Sequence, residues 1–143
     1  MNWTIKTFNQ LTSKEIYEIL RSRAEVFVKE QRISYVDPDD VDYKSWHVFA
    51  TENDKVCAYL RAFKDGDDTI KIGRVLTLIH GKGTGTQLMK YAISELKAKT
   101  GCKKIIMDAQ SHAISFYQRL GFTITSEEYL EEGIPHVDME LTL

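Results

Sequence analysis

Apolar side chains recur along this chain at two spacings, and the switches between them mark out its elements. Trp3 and Ile5 alternate with polar neighbours, which predicts a strand over residues 2–8 with Phe8 at its end. A 3.6-residue period follows: Ile16, Ile19, Leu20, Ala24, Phe27 and Val28 fall on one helical face. Ser13 caps that helix, and Thr12 with Glu15 also spells a capping box. The segment QRISYVDPDDVDYKS (31–45) carries neither period, and Pro38 with four aspartates makes it a loop. WHVFAT (46–51), KVCAYLRAFK (55–64) and TIKIGRVLTL (69–78) read as strands broken by the turns ENDK and DGDD, an antiparallel meander. Leu88, Met89, Ala92, Ile93 and Leu96 stripe a second helix that stops at Gly101. KKIIMDA (103–109) is a short buried strand. SHAISFYQRLG (111–121) is a third helix with Ala113, Phe116, Tyr117 and Leu120 on one face. FTITSEEYL (122–130) and PHVDMELTL (135–143) are closing strands around the turn EEGI. The order predicts an α/β (α+β) fold: a mostly antiparallel mixed sheet flanked by helices, with one helix–strand–helix unit in its second half.

Composition narrows the function classes. At 143 residues, with 43% hydrophobic and 28% charged, the chain is expected to form one domain over 1–143 around one core. A formal net charge of −2 gives no electrostatic reason for a nucleic-acid partner. The N-terminus lacks a secretory pattern and no apolar run reaches the roughly 20 residues of a membrane span. Cys57 and Cys102 are too few for a disulfide framework and sit among apolar residues, as buried thiols do. These features predict a cytoplasmic protein. An open sheet edge is compatible with a homodimer, although nothing in the sequence fixes one.

The segment LIHGKGTGTQLMKYAISEL (78–96) sets Gly81, Gly83 and Gly85 at alternate positions just before the second helix. A helix N-terminus has unpaired N–H groups and roughly half a positive charge, and glycines let those groups approach a phosphate closely. Lys82 adds a full charge, so the segment favours an anion, most simply a diphosphate. A plain tight turn is the competing reading. The P-loop ending Gly-Lys-Ser/Thr is missing. A dinucleotide fingerprint over Gly83-x-Gly85 fails at Leu88, although Asp108 follows at a suitable distance; that fold also places its loop after the first strand rather than after a meander.

His80-x-x-Gly83-x-Gly85 resembles the acetyl-coenzyme A signature of the GNAT N-acetyltransferases, with His80 where Arg or Gln is usual. Gln110-x-x-Ala113-x-x-Phe116-Tyr117-x-x-x-Gly121-Phe122 is similar to their second signature, where Asn is usual at the first position. RAEVFVKEQRISYVDPDD, WHVFAT, IGRV, AQSHAISFYQRLGF and EEYLEEGIPHVDME together resemble the ElaA-type subgroup. The resemblance implies a GNAT acyl-CoA N-acyltransferase fold and acetyl transfer from acetyl-CoA to an amine of a small molecule, peptide or protein. It also implies cofactor contacts from Leu76, Thr77 or Leu78 on the strand before the loop. Further contacts would come from His80, Gly81, Lys82, Gly83, Thr84, Gly85 and Thr86, and from Gln110, Phe116, Tyr117 and Arg119. A non-catalytic acyl-CoA-binding or partner-binding module of the same fold is the alternative.

Acetyl transfer needs a neutral amine, a donor to the oxyanion, a proton for the leaving thiolate and close approach of two substrates. Tyr117 is the candidate acid, with a core tyrosine as the bland reading. His47, His112, His136 and Glu30 are the candidate bases. The end of the first helix, His47 and the EEGIPH hairpin are expected to form the acceptor pocket. Asp37, Asp39, Asp40 and Asp42 match a calcium loop poorly, since Asp42 stands at the glycine position and Val48 at the final glutamate. They are expected to form a solvated loop or an acidic rim that attracts a cationic amine. No zinc spacing or hydrolase elbow is present.

Overall fold

The computed structural model describes residues 1–143. Strands β1 (Asn2–Thr7), β2 (Trp46–Glu52), β3 (Lys55–Lys64) and β4 (Thr69–Thr77) pair antiparallel in chain order, as the alternating pattern predicts. Helix α2 (Thr84–Thr100) then crosses over to β5 (Lys104–Gln110), which lies parallel to β4. β8 (Ile134–Thr142) runs antiparallel beside β5, and both β6 (Thr123–Ile124) and β7 (Tyr129–Glu131) pair with β8. Helices α1 (Ser13–Arg23) and α3 (Ile114–Arg119) complete an eight-stranded mixed sheet flanked by three helices. No helix is long and apolar enough to cross a membrane.

β3 is buried from Val56 to Ala62 because its two faces feed two cores, with a slip of register at Cys57 that shifts the alternation. Ala58, Leu60 and Ala62 pack with Leu88, Met89, Ala92 and Leu96 of α2, while Val56 and Tyr59 pack with Ile19 of α1 and Phe27. A strand covered on both faces reads as a continuous apolar run, which is what KVCAYLRAFK is apart from Arg61.

Several expectations need correction, beginning with the first helix, whose cap is Thr12 rather than Ser13. Residue 8 is not strand: the Gln10 side chain accepts the Thr7 N–H (2.9 Å) and turns Phe8–Gln10 into a 3-10 helix. The first helix does not keep one period to Val28. From Ala24 to Glu30 it widens into a π-helix, and Gln31 N–H bonds Val26 O (3.0 Å). The wider turn rotates Val26 and Phe27 into the core and leaves Ala24 and Val28 exposed. The third helix is shorter than 111–121, because Ser111–Ala113 forms a separate 3-10 turn ahead of α3. The strand expected over 122–130 breaks in two. Ser126 Oγ accepts the Asp138 N–H (2.8 Å), so a side chain takes the place of the backbone ladder there.

The four-aspartate segment differs most from expectation. It is neither a solvated loop nor an acidic rim, since Asp37 and Asp42 are buried and only Asp40 stands free of ion pairs. Arg23 has no exposed surface; its Nε donates to Asp37 Oδ2 (2.9 Å) and its Nη1 to Asp42 Oδ1 (2.7 Å). Arg61 Nη1 donates to Asp39 (2.6 Å) and Asp42 (3.0 Å), and Arg74 Nε donates to Asp37 (3.0 Å). Three guanidinium groups thus face three carboxylates. The Asp40–Lys44 3-10 turn, opened by a capping box at Asp39, holds Asp42 in place.

Candidate active site

The parallel pairing of β4 with β5 lasts only from Thr69–Ile72 against Lys104–Met107. Beyond Ile72 the β3–β4 register slips, and Arg74 takes a left-handed φ of +52°. This bulge bends β4 away while β5 runs on to Gln110, so a wedge opens between the two strands. Leu78 N–H donates to Cys57 O (2.8 Å). Alternation along the strand then turns the Leu76 backbone toward β3 as well and turns Thr77 toward the wedge. Of the three strand positions expected to offer backbone contacts, Thr77 is the one that this alternation turns away from β3, and none of the three lines the cavity in the wedge.

At the start of α2 the glycine segment packs beside the end of β4, with Thr77 Cγ2 and the Phe116 ring next to Gly85. Gly83 caps the helix at φ +73° without a side-chain cap, so the first N–H groups, from Thr84, Gly85 and Thr86, are not covered by a capping side chain. His80, Gly81, Lys82 and Gly83 are exposed, and Thr84 is buried. Gly85 has a separate, steric reason to be glycine: a Cβ there would lie 3.3 Å from Phe116 Cζ. Backbone and ring therefore meet where the two sequence signatures meet. A bare, positive helix end lined by glycine fits a phosphate, and the residues present suit the diphosphate of a coenzyme A.

Behind Phe116 the aromatic packing continues to Tyr117 (ring centroids 5.1 Å apart) and on to Phe122. Tyr117 is 6% exposed and lines a cavity of about 370 Å³ in the wedge. Burial alone pushes its hydroxyl up, which keeps the phenol protonated through the neutral range. The cavity also brings together Gln110, His112 and His136 with Phe27 and Gln31 from the end of the first helix. Gln110 Nε2 donates to Gln31 Oε1 (3.0 Å), and His112 Nε2 donates to Gln110 Oε1 (2.6 Å). His112 thereby orients Gln110 through Nε2, from an exposed position at the cavity edge.

His136 is presented differently. It is 7% exposed, its Nδ1–H donates to Ile134 O (2.7 Å), and its ring stacks on Tyr129. That bond fixes the tautomer and leaves Nε2 as the basic nitrogen, 3.5 Å from Glu131 Oε2. Tyr129 is itself anchored, its hydroxyl donating to Asp138 Oδ1 (2.6 Å).

His47 and Glu30 lie elsewhere. Glu30 is exposed and outside the cavity. His47 is buried beside the arginine cluster; Nε2–H donates to Asp42 O (2.9 Å) and Nδ1 accepts from the Tyr59 hydroxyl (2.7 Å). Burial pushes its pKa down, so it is a neutral, fully bonded core histidine. Arg119 ends α3 and is exposed.

Sequence reasoning missed Gln31, Arg61 and Arg74 in the cavity wall. Two of them carried a signal: Arg61 is a lone charge in an apolar strand, and Arg74 follows a glycine in the middle of one. Arg74 also stacks on Tyr35, 4.7 Å from the ring centroid.

Residues 9–143 match the family model described as "Acetyltransferase (GNAT) domain". The chain belongs to the GNAT acetyltransferase family. It is 36% identical to a UPF0039 protein of Schizosaccharomyces pombe, covering 100% of this chain and 98% of that one. It is 34% identical to the Escherichia coli protein ElaA over 97% and 95% of the two chains. The crystal structure of ElaA superposes with a TM-score of 0.92 at 32% identity, covering 98% of each chain. An acyl-CoA N-acyltransferase from Pseudomonas aeruginosa also gives 0.92, at 35% identity over 99% of each chain. The GNAT acyl-CoA N-acyltransferase fold extends to an aminoglycoside 6'-N-acetyltransferase solved with coenzyme A, at 14% identity over 97% and 96% and a TM-score of 0.73. That last likeness concerns the fold alone.

Proposed function

We propose that residues 1–143 work as one N-acetyltransferase domain, moving the acetyl group of acetyl-CoA to an amine held in the wedge cavity. The carrying observation is an uncapped glycine helix start packed on Phe116, whose neighbour Tyr117 is buried and protonated in the wedge cavity. A distant aminoglycoside enzyme of the same fold was solved with coenzyme A, which supports an acyl-CoA as the co-substrate here. Acetyl-CoA supplies an activated thioester. The N–H groups at the start of α2, with Lys82, hold the diphosphate, and the Thr77 backbone faces the acyl arm.

The remaining steps belong to this chain. His136 Nε2 takes the proton that the attacking nitrogen loses as the C–N bond forms. Tyr117 gives its hydroxyl proton to the sulfur as the C–S bond breaks, and exchange with solvent resets both groups. His112 and Gln31 hold Gln110 in position at the cavity wall. His47 serves the fold, not the reaction. The buried free thiols Cys57 and Cys102, and the need for acetyl-CoA, support a cytoplasmic setting.

Calorimetric titration with acetyl-CoA, with NADH as control, tests the cofactor. Micromolar binding of acetyl-CoA and none of NADH is the expected result; no acetyl-CoA binding refutes the reading. Thiol release on mixing with amines separates an enzyme from a binding module of the same fold.

A further inference from the structure

The cations that line the wedge cavity are all paired with carboxylates other than the two at its β7–β8 lip. Arg61 faces Asp39 and Asp42, Arg74 faces Asp37 and Asp39, and Lys71 Nζ lies 3.2 Å from Asp108 Oδ2. Every cation on the wall already has a carboxylate partner. Two carboxylates on the opposite lip, Glu131 and Glu132 at the β7–β8 turn, have no cationic partner while His136 is neutral. His136 is nine-tenths buried against the same cavity, and its Nε2 makes no hydrogen bond within the chain.

We propose that the acceptor is a small basic amine carrying a second, fixed positive charge besides the nitrogen that is acetylated, the chemistry of an aliphatic diamine. This deepens the acetyltransferase reading and rests on it. A nitrogen that attacks a thioester must first lose its proton, and once neutral it no longer satisfies a carboxylate. A monoamine therefore leaves Glu132 without a partner at the moment of reaction, because the proton it gives to His136 pairs with Glu131 alone. An acceptor with a second ammonium keeps a cation on the lip while its first nitrogen sits at His136 Nε2, beside Glu131 Oε2. Arg61 and Arg74, already neutralised by the aspartates, do not repel it. The cavity, about 370 Å³, sets a small-molecule scale.

The test compares 1,4-diaminobutane with n-butylamine, following thiol release and expressing kcat/KM per concentration of neutral amine. The expected result is a diamine advantage of about tenfold, carried by KM, since half-exposed charge pairs each contribute modestly. In Glu132→Gln, which keeps side-chain size at a turn position with φ +50°, the ratio falls toward one. Equal kcat/KM for the two amines in the unaltered protein, an undiminished ratio in Glu132→Gln, or no transfer to the diamine overturns the proposal. Acetyl-CoA titration keeps the two ideas apart. Loss of acetyl-CoA binding sinks the acetyltransferase reading, whereas intact binding without a diamine preference sinks only the acceptor class.

Discussion

Replacing Asp42 by Asn tests whether the buried arginine–aspartate cluster holds the site wall. The Asp42 carboxylate accepts from Arg23 Nη1 (2.7 Å) and Nη2 (3.2 Å), from Arg61 Nη1 (3.0 Å) and from the Asp39 N–H (3.2 Å). Asparagine keeps the shape but removes one full charge and turns one acceptor into a donor. Arg23, with no exposed surface, is left with Asp37 as its only counter-charge. Breaking a buried charge pair costs about 3–5 kcal/mol. Unfolding entropy of about 2.1 cal/mol/K per residue amounts to roughly 0.3 kcal/mol/K for a chain of this length. The melting temperature is therefore expected to fall by about 10–16 °C. Asp40→Asn, in the same turn but free of ion pairs, is the control and changes stability by less than about 0.5 kcal/mol. The pH dependence adds a second check. Burial pushes the Asp42 carboxyl up, but hydrogen bonds and charge from Arg23 and Arg61 outweigh it and hold it below the usual range. A depressed carboxylate contributes stability that is present above its unfolded pKa, about 4, and lost as pH falls through the folded value. The gap between the two proteins should close on acidification. A loss under about 3 °C at pH 7 by circular dichroism melts, or a gap that widens in acid, refutes the account.

Other outcomes follow from the same geometry. Tyr117→Phe lowers turnover at least about tenfold while calorimetry finds acetyl-CoA affinity retained; unchanged turnover with a competent amine removes its role as the acid. Gly85→Val drives methyl groups into Phe116, which already stands 3.3 Å from a single added Cβ, and weakens acetyl-CoA binding about tenfold or more with α2 still formed; unaltered affinity argues that this helix start is not the cofactor site. His47, held neutral by burial, contributes stability that is complete above its unfolded pKa of about 6.5 and declines as pH falls toward the lower folded value. The urea midpoint should drop between pH 7.5 and pH 5.5 in a His47-dependent way, and a rise over that interval contradicts the neutral assignment. Leu96→Ala, at a fully buried position of the α2 stripe, costs about 2–5 kcal/mol in urea unfolding, while a cost below about 1 kcal/mol would mean that α2 is not packed as described.

Local chemistry settled much of this protein before any long-range contact. Alternation is enough for the β1–β4 meander, because each strand's buried side follows from its own residues. The stripe from Leu88 to Leu96 is enough for α2. The positive φ at Gly81 and Gly83 belongs to the loop itself, and the motif around Tyr117 is contiguous. Tertiary structure decided what depends on partners far along the chain. Asp37, Asp39 and Asp42 look like a solvated run until Arg23, Arg61 and Arg74 arrive from three other elements. The tie between Gln31 and Gln110 spans 79 residues, and no local period announces it. His47 and His136 are equally plausible bases in the sequence, both in strands among apolar neighbours. Packing separates them: the cluster takes both ring nitrogens of His47, while a single carbonyl takes Nδ1 of His136 and leaves Nε2 to the cavity. Periodicity reports which face of an element is buried, but the charge and hydrogen-bond state of a buried polar group is set by whatever packs against that face. Elements and the glycine loop were therefore legible in the sequence, whereas the cavity wall and the hydrogen-bond state of each histidine required the fold.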